Sequence, residues 1–277
     1  MQFNGRHVAS VGNEGQCISI RSHFNFLKAV WWKDRKVSNH KVLAIIPARS
    51  GSKGLANKNV LPLAGRPLLA WSIEHAQNSK LTTRVICSTD DEKIAAIARQ
   101  YGAETPFLRP AELSGDDAND SSFTVHAIKW FKKNENWDTD IVIILRPTSP
   151  LRDPADIDGL IKMMIENPNA HSCLSVLEAE KSPYKMLRQQ SNGFIVPLIK
   201  CEVPDQLNAA RQTLPKALQQ TGAIHGVRGP IAIKHNTVIG SLILAYEPRY
   251  KSVIDIDSLE DFARAEQILK QHPPVQE

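Results

Sequence analysis

From Lys41 onward, short apolar runs alternate with helical patterns, and few architectures accept that order. Val42 to Ile46 is a β-branched run bounded by Pro47, too short for a typical helix and suited to a strand buried on both faces. Pro67 to Gln77 then carries a largely buried helical pattern, and Val85 to Cys87 reads as a strand. Glu92 to Tyr101 spaces Ile94, Ile97, Ala98 and Tyr101 as a helix and stops at Gly102, a natural C-cap. Val125 to Phe131 predicts a further amphipathic helix, Ile141 to Leu145 a buried strand, Ile157 to Ile165 a helix and Cys173 to Leu177 a strand. Such alternation implies a mostly parallel sheet with helices on both faces, a three-layer α/β/α Rossmann-like arrangement. Ligands in such sheets bind beyond the carboxyl ends of the strands.

Three segments at those ends carry chemistry. The first run empties into Ala48-Arg49-Ser50-Gly51-Ser52-Lys53-Gly54-Leu55-Ala56-Asn57-Lys58-Asn59, where glycines, serines and cations replace apolar periodicity. Glycines allow positive φ and close backbone approach, so amides can line an anion site while Arg49, Lys53 and Lys58 neutralise its charge. An ordinary solvated strand-to-helix loop is the plainer reading. GxxxxGK[ST] cannot be aligned here, nor does GxGxxG occur, so any phosphate chemistry belongs to another loop class.

The second segment, Arg146-Pro147-Thr148-Ser149-Pro150-Leu151-Arg152, holds two hydroxyls between prolines and flanks them with arginines. It reads as a stiff platform for a polar or anionic substrate, or as a rigid turn leading to a helix at Asp153. In the third, Val253-Ile254-Asp255-Ile256-Asp257, the two carboxylates stand at i and i+2 of an extended segment and share one face, with the isoleucines turned to the core. Mg2+ held by one or two carboxylates plus substrate phosphates and water meets the need for a positive group between them. Asp257 could instead N-cap a helix from Leu259 to Leu269.

Composition sets limits. The 277 residues are 42% hydrophobic, enough for a substantial core, and the longest aliphatic runs are far shorter than a membrane span of roughly 18 residues. Cys17, Cys87, Cys173 and Cys201 lie far apart without a CxxC pair, against a zinc cluster or disulfide framework, so a soluble cytoplasmic protein is expected. The net charge of +5 invites a nucleic-acid reading, but residues 1–40 hold six Lys and Arg against two acids, leaving 28 against 27 beyond. Most of the excess therefore belongs to an N-terminal extension, which lacks the order of a signal peptide and is expected to be poorly ordered or a partner-binding arm. Neither nucleic acid nor membrane is an expected partner. Among the histidines, His75, His126 and His171 read as packed or surface residues.

Taken together, IIPARSGSKGLANKN, LRPAEL at Leu108 to Leu113, RPTSPLR, RQTLP at Arg211 to Pro215 and VIDID resemble, in order and over residues 41–271, the acylneuraminate cytidylyltransferase family, the CMP-sialic acid synthetases. The resemblance implies a nucleotidyltransferase that joins a nine-carbon 2-keto-3-deoxy sugar acid to CMP from CTP, releasing pyrophosphate. Catalysis in such enzymes is mostly positioning and charge neutralisation at the α-phosphate. It assigns Arg49, Ser52, Lys53 and Lys58 to the triphosphate, Asn59 and Arg109 to the nucleoside, and Asp255 and Asp257 to Mg2+. Arg49, Lys58 and Asp257 form the implied catalytic set. Thr148 and Ser149 would face the sugar acid, with Lys185 and Arg211 arriving from a partner subunit. A homodimer with exchanged elements near residues 180–240, and a tail over 272–277, follow from the same resemblance.

The sequence departs from the family pattern where the sugar is shaped. Arg146 stands where Gln is frequent, and RPNGAIY is replaced by Gln219-Gln220-Thr221-Gly222-Ala223-Ile224-His225. Arg146 could bind the sugar carboxylate bidentately, compensating for the cation missing at Gln219, or pair with an acid and support its loop. His225 falls in the sugar pocket, and Asp120 occupies a position where a serine near the nucleotide is common. Alternatives to a nonulosonic acid enzyme are a same-fold transferase acting on a sugar 1-phosphate or on 3-deoxy-manno-octulosonic acid, and a non-catalytic anion or nucleic-acid binder.

Overall fold

The β-branched runs pair side by side in one twisted sheet. The structure is a computed structural model, and it describes residues 39–51, 55–115, 118–249 and 254–271. Strands β1 (Val42–Pro47), β4 (Arg84–Ser88), β5 (Ile141–Ile144), β6 (Ser172–Glu178), β9 (Leu218–Arg228) and β10 (Ile243–Tyr246) lie in the order β10-β6-β9-β5-β1-β4. Two-stranded pairs are made by β2 (Pro62–Leu63) with β3 (Arg66–Pro67), and by β7 (Leu187–Gln189) with β8 (Ile195–Pro197). The poorly ordered extension expected over 1–40 lies almost wholly outside the described residues, and the tail and the candidate nucleotide-binding residues Ser52 and Lys53 lie outside them too.

Alternate side chains of β1 serve opposite layers, as the pleat requires. Val42, Ala44 and Ile46 pack with helices α1 (Leu68–Asn78), α2 (Glu92–Gln100) and α4 (Pro154–Glu166). Leu43 and Ile45 face α3 (Asp120–Glu135), whose Phe123, Ala127, Ile128 and Phe131 fill the other layer beside Ala232 of α5 (Gly229–His235). The three-layer α/β/α expectation therefore holds.

One strand departs from strict parallelism. β1 pairs parallel to β4 and β5, and β10 to β6, but β9 runs antiparallel to both of its neighbours. Its chain arrives from the irregular 180–217 region, which enters the sheet at the end where the other strands leave it. A direct link can do this, whereas a parallel strand would need a crossover. α4 covers β9 closely: a Cβ on Gly226 would meet Leu160 Cδ2 and Met164 Sδ at 2.6 Å, so any larger residue would force those side chains to shift.

The helix expected at Val125 begins five residues earlier at Asp120, because Asn119 Oδ1 accepts from Ser122 N at 3.1 Å and caps an otherwise polar first turn. Helix α6 (Leu259–Gln271) docks through Ala265 and Leu269 on a third cluster containing Leu63, Trp71, Leu151, Ile254 and Ile256. That cluster carries the 254–257 segment to the carboxyl edge of the sheet.

Candidate active site

Lys58 joins the basic loop to the 254–257 segment. It lies on a single 3-10 turn, Lys58–Val60, after Asn57, whose φ of 56° is left-handed. Its side chain is nearly buried and donates from Nζ to Ile256 O at 2.6 Å and to Asp257 Oδ1 at 3.0 Å, joining positions 199 residues apart. The Ile256 amide in turn donates to Thr148 O at 2.8 Å. The backbone of one residue thus ties the basic loop to the proline-braced loop.

Asn59 donates from Nδ2 to the Arg49 carbonyl at 2.9 Å and shapes the loop from beneath. Arg49 Nη1 reaches Ser114 O at 3.4 Å, while Ser50 donates its amide and hydroxyl to the Asp90 carboxylate, each at 2.9 Å. Asp90 is not singled out by the sequence, although Thr89-Asp90-Asp91 directly follows a buried strand and so stands at the same edge. Arg109 is buried. Its Nε donates to Ser88 Oγ at 3.1 Å, Nη2 reaches Ser88 O, and the guanidinium lies 4.8 Å from the Phe123 ring centroid. Burial pulls its pKa below the ordinary arginine value.

Asp255 and Asp257 are exposed while Ile254 and Ile256 are buried, the alternation expected of an extended segment. The helix-cap reading of Asp257 is overturned. Ser258 Oγ accepts from Asp261 N at 3.2 Å, and the Asp261 carboxylate accepts from Ser258 N at 2.9 Å, a reciprocal capping box. Asp257 is thereby left for Lys58. As a metal-site test, the donor set suits a hard cation: two exposed carboxylates share one face, and among the described residues no group of three or more His, Cys, Asp or Glu could hold a metal unaided. Two carboxylates completed by substrate oxygens and water is the way Mg2+ is usually held.

Arg146 begins the proline-braced loop and does not offer its whole fork to a ligand. Its Nη2 forms an ion pair with Asp120 on the first turn of α3, and Nη1 donates to Gly222 O at 3.3 Å. Of the two readings made for Arg146, pairing with an acid is the one observed; a free bidentate fork is not. The Arg146 carbonyl accepts from Ser72 Oγ at 3.2 Å and from Arg152 Nη2 at 2.6 Å, and Arg152, fully enclosed, has its pKa lowered to about 9 by burial and by Arg146. Thr148 is half-buried, whereas Ser149 is 1% exposed with no partner for its Oγ. The loop also leads into α4, where Asp153 Oδ1 accepts from Ala155 N at 2.8 Å, so its turn-and-cap role coexists with the site.

Arg146, Asp120, Asn119, Gln220 and His225 line a cavity of about 400 Å³. His225 is buried on β9 and its Nε2 lies 2.7 Å from Val238 O. A carbonyl only accepts, so Nε2 carries a proton; burial lowers the ring pKa, the Val238 bond opposes this and Arg146 adds to the lowering, a net shift toward the neutral imidazole. Lys185 and Arg211 are not brought to this cavity in the single chain. Lys185 is exposed beside the β7–β8 pair, and Arg211 lies 3.6 Å from Glu178 and donates to Ala179 O at 3.0 Å. A larger hollow of about 710 Å³, lined by Tyr184, Ile199, Cys201 and Pro215 among others, contains none of the candidate site residues.

This geometry can be set beside known proteins. A family model described as cytidylyltransferase matches residues 43–210. The N-acylneuraminate cytidylyltransferase of Escherichia coli O18:K1:H7 is 34% identical over 225 residues, 81% of this chain and 51% of that protein, so the chain spans about half the length of that relative. Pseudaminic acid cytidylyltransferase of Campylobacter jejuni serotype O:23/36 is 28% identical over 230 residues, 83% of this chain and 97% of that protein. A solved CMP:2-keto-3-deoxy-manno-octonic acid synthetase complexed with CTP shares the fold, with a TM-score of 0.62 at 16% identity over 83% of this chain and 99% of that one. Lys58, Asn59 and the Arg146 loop fall within the matched family segment, and the chain belongs to the cytidylyltransferase family.

Proposed function

We propose that this protein transfers the cytidylyl group of CTP to a nine-carbon 2-keto-3-deoxy sugar acid, giving the CMP-sugar and pyrophosphate. One observation carries the reading: the backbone of Ile256 accepts at its carbonyl from Lys58 Nζ and donates from its amide to Thr148 O, so a phosphate-type loop and a substrate loop meet at one residue. The names of the E. coli and Campylobacter relatives support the substrate class.

In this reading Arg49 and Lys58 neutralise the triphosphate, with Lys58 nearest the α-phosphate, where charge builds as the sugar's anomeric hydroxyl attacks. Ser52, Lys53, Asn59 and Arg109 hold the nucleotide, while Arg146, Thr148, Ser149 and His225 form the sugar side. Asp255 and Asp257 would hold Mg2+, which supplies charge neutralisation for the phosphates. Stacked burial of Lys58 and Asn59 beneath the loop limits water access and fixes the ammonium before substrate arrives.

The assembly expected is a homodimer, with Lys185 and Arg211 contributed across it. Met186, Leu187, Phe194, Ile195 and Leu198 are 44%, 45%, 71%, 60% and 52% exposed on the 183–217 region, an apolar surface suited to a second copy. No helix among the described residues is long and apolar enough to cross a membrane. The deciding experiment is pyrophosphate release with CTP and Mg2+ over a panel of eight-carbon and nine-carbon 2-keto-3-deoxy acids. Turnover with a nine-carbon acid is expected; no CTP-dependent release with any acid overturns the assignment. Light scattering at a single-chain mass would overturn the dimer.

A further inference from the structure

Within the cavity of about 400 Å³, the charged lining residues are one cation and one anion, Arg146 and Asp120. The rest of its lining is uncharged: Asn119, Ser121, Gln220 and the neutral His225 stand beside apolar and hydroxyl side chains. Asp120 and Arg146 are 23% and 34% exposed, so their charges act in a partly dehydrated space where Coulomb terms exceed their value in water. A guanidinium has five N–H donors, and the contacts to Asp120 and Gly222 O leave others to meet a ligand carboxylate. A Cβ on Gly222 would lie 3.8 Å from Ser149 Oγ and 3.9 Å from Arg146 Nη1, so Gly222 stands between the unpartnered, buried Ser149 hydroxyl and the guanidinium. The left-handed φ of 71° at Gly222 turns its carbonyl toward Arg146.

Resting on the proposed sugar-acid reading, we propose that Asp120 is a specificity-determining residue: it holds Arg146 in place and cancels its charge, so the cavity takes a sugar acid bearing one carboxylate and rejects one bearing a further anionic group. The first carboxylate shares Arg146 with Asp120. Among the described lining residues of one chain, a second anionic group finds no other cation and faces the Asp120 carboxylate, a repulsive element of the kind that sets specificity by excluding the wrong ligand.

The test is calorimetric binding to the 277-residue protein loaded with a non-hydrolysable CTP analogue and Mg2+, so that binding is read without turnover. The probes are N-acetylneuraminate and its 9-phosphate. The native protein is expected to bind the phosphorylated acid at least about tenfold more weakly than the parent acid, and Asp120→Asn to narrow that ratio about fivefold or more. Arg146→Gln strands the Asp120 carboxylate and is expected to weaken the parent acid about tenfold, with CTP affinity unchanged. In the double variant about half of that loss, on a logarithmic scale, returns. Asp120→Glu, which keeps the charge, retains the discrimination. An unchanged ratio in Asp120→Asn, or an Arg146→Gln effect of equal size in both backgrounds, overturns the proposal. Failure of the pyrophosphate panel with intact discrimination in binding would instead count against the proposed reaction alone. Unaltered CTP affinity and melting temperature in each variant separate these outcomes from unfolding, and a variant that loses both makes Asp120 structural and ends the argument.

Discussion

Replacing Lys58 with Met keeps the length of the side chain and removes its charge and its donors. Two interactions disappear with it. The bond to Ile256 O is short, 2.6 Å, and enclosed, so its loss and the stranded carbonyl together cost about 1.5–3 kcal/mol. The pair with Asp257 is 3.0 Å long, but that carboxylate side chain is 77% exposed, and solvent screening holds its worth to at most about 1 kcal/mol. A fold of this size then melts several degrees lower, at roughly 2–4 °C per kcal/mol, and stays folded at assay temperature. The catalytic loss is larger, because a preorganised donor aimed at developing charge is worth about 10²–10³ in kcat. Pyrophosphate release under saturating CTP and sugar acid, paired with a thermal melt, separates the two effects. A kcat within about threefold of native with the expected fall in melting temperature would refute the transition-state role and leave Lys58 a clamp for the 254–257 segment.

Three further outcomes follow from other contacts. Asp257→Asn is expected to raise the Mg2+ concentration giving half-maximal rate about tenfold or more while the melting temperature moves little, since Ser258 and Asp261 still cap α6; an unchanged metal titration removes Asp257 from the metal site. Ser258→Ala should lose about 1 kcal/mol of stability, read in a denaturant melt, with the Mg2+ titration unaltered. His75 is buried with no partner for Nδ1, and burial, with Arg152 adding, lowers its pKa from 6.5 to about 3. Below pH 6.5 the unfolded chain therefore binds the proton first, so this contribution is complete above pH 6.5 and is lost as pH falls toward 3. At pH 5 the loss is about 2 kcal/mol, and His75→Gln should flatten that acid limb; an equal slope in the variant would show that other groups control it.

Much of the architecture was legible because burial on two faces leaves a compositional trace. Val42 to Ile46 and Ile141 to Leu145 can be read as strands since both sides of each run meet helices. The partition of Asp255 and Asp257 to solvent and Ile254 and Ile256 to the core is equally local, a period of two. The direction of β9 was not legible, because a strand's periodicity is the same whichever way it runs. Its antiparallel entry depends on where the 180–217 region releases the chain. The helix cap stayed open in the sequence for a related reason: Asp257 and Ser258 are both good cap residues, and the choice fell to Ser258, whose partner Asp261 completes a reciprocal pair while Asp257 is drawn to Lys58.

The sequence by itself determined that strands and helices alternate around a mostly parallel sheet, that a cationic loop follows the first strand, and that two carboxylates share a face near the last helix. These are short-range facts, set by φ preferences, side-chain period and the burial that each run demands. Only the tertiary structure decided who meets whom across the chain: Lys58 with Ile256 and Asp257, Thr148 with Ile256, and Asp120 with Arg146. Ionic and hydrogen-bond partners carry no periodicity, and a lone cation satisfies its charge with whichever acid the crossing of elements presents. For Arg146 that acid sits on the first turn of α3, so of the two readings the sequence left open, a free fork or a paired one, the fold takes the paired one.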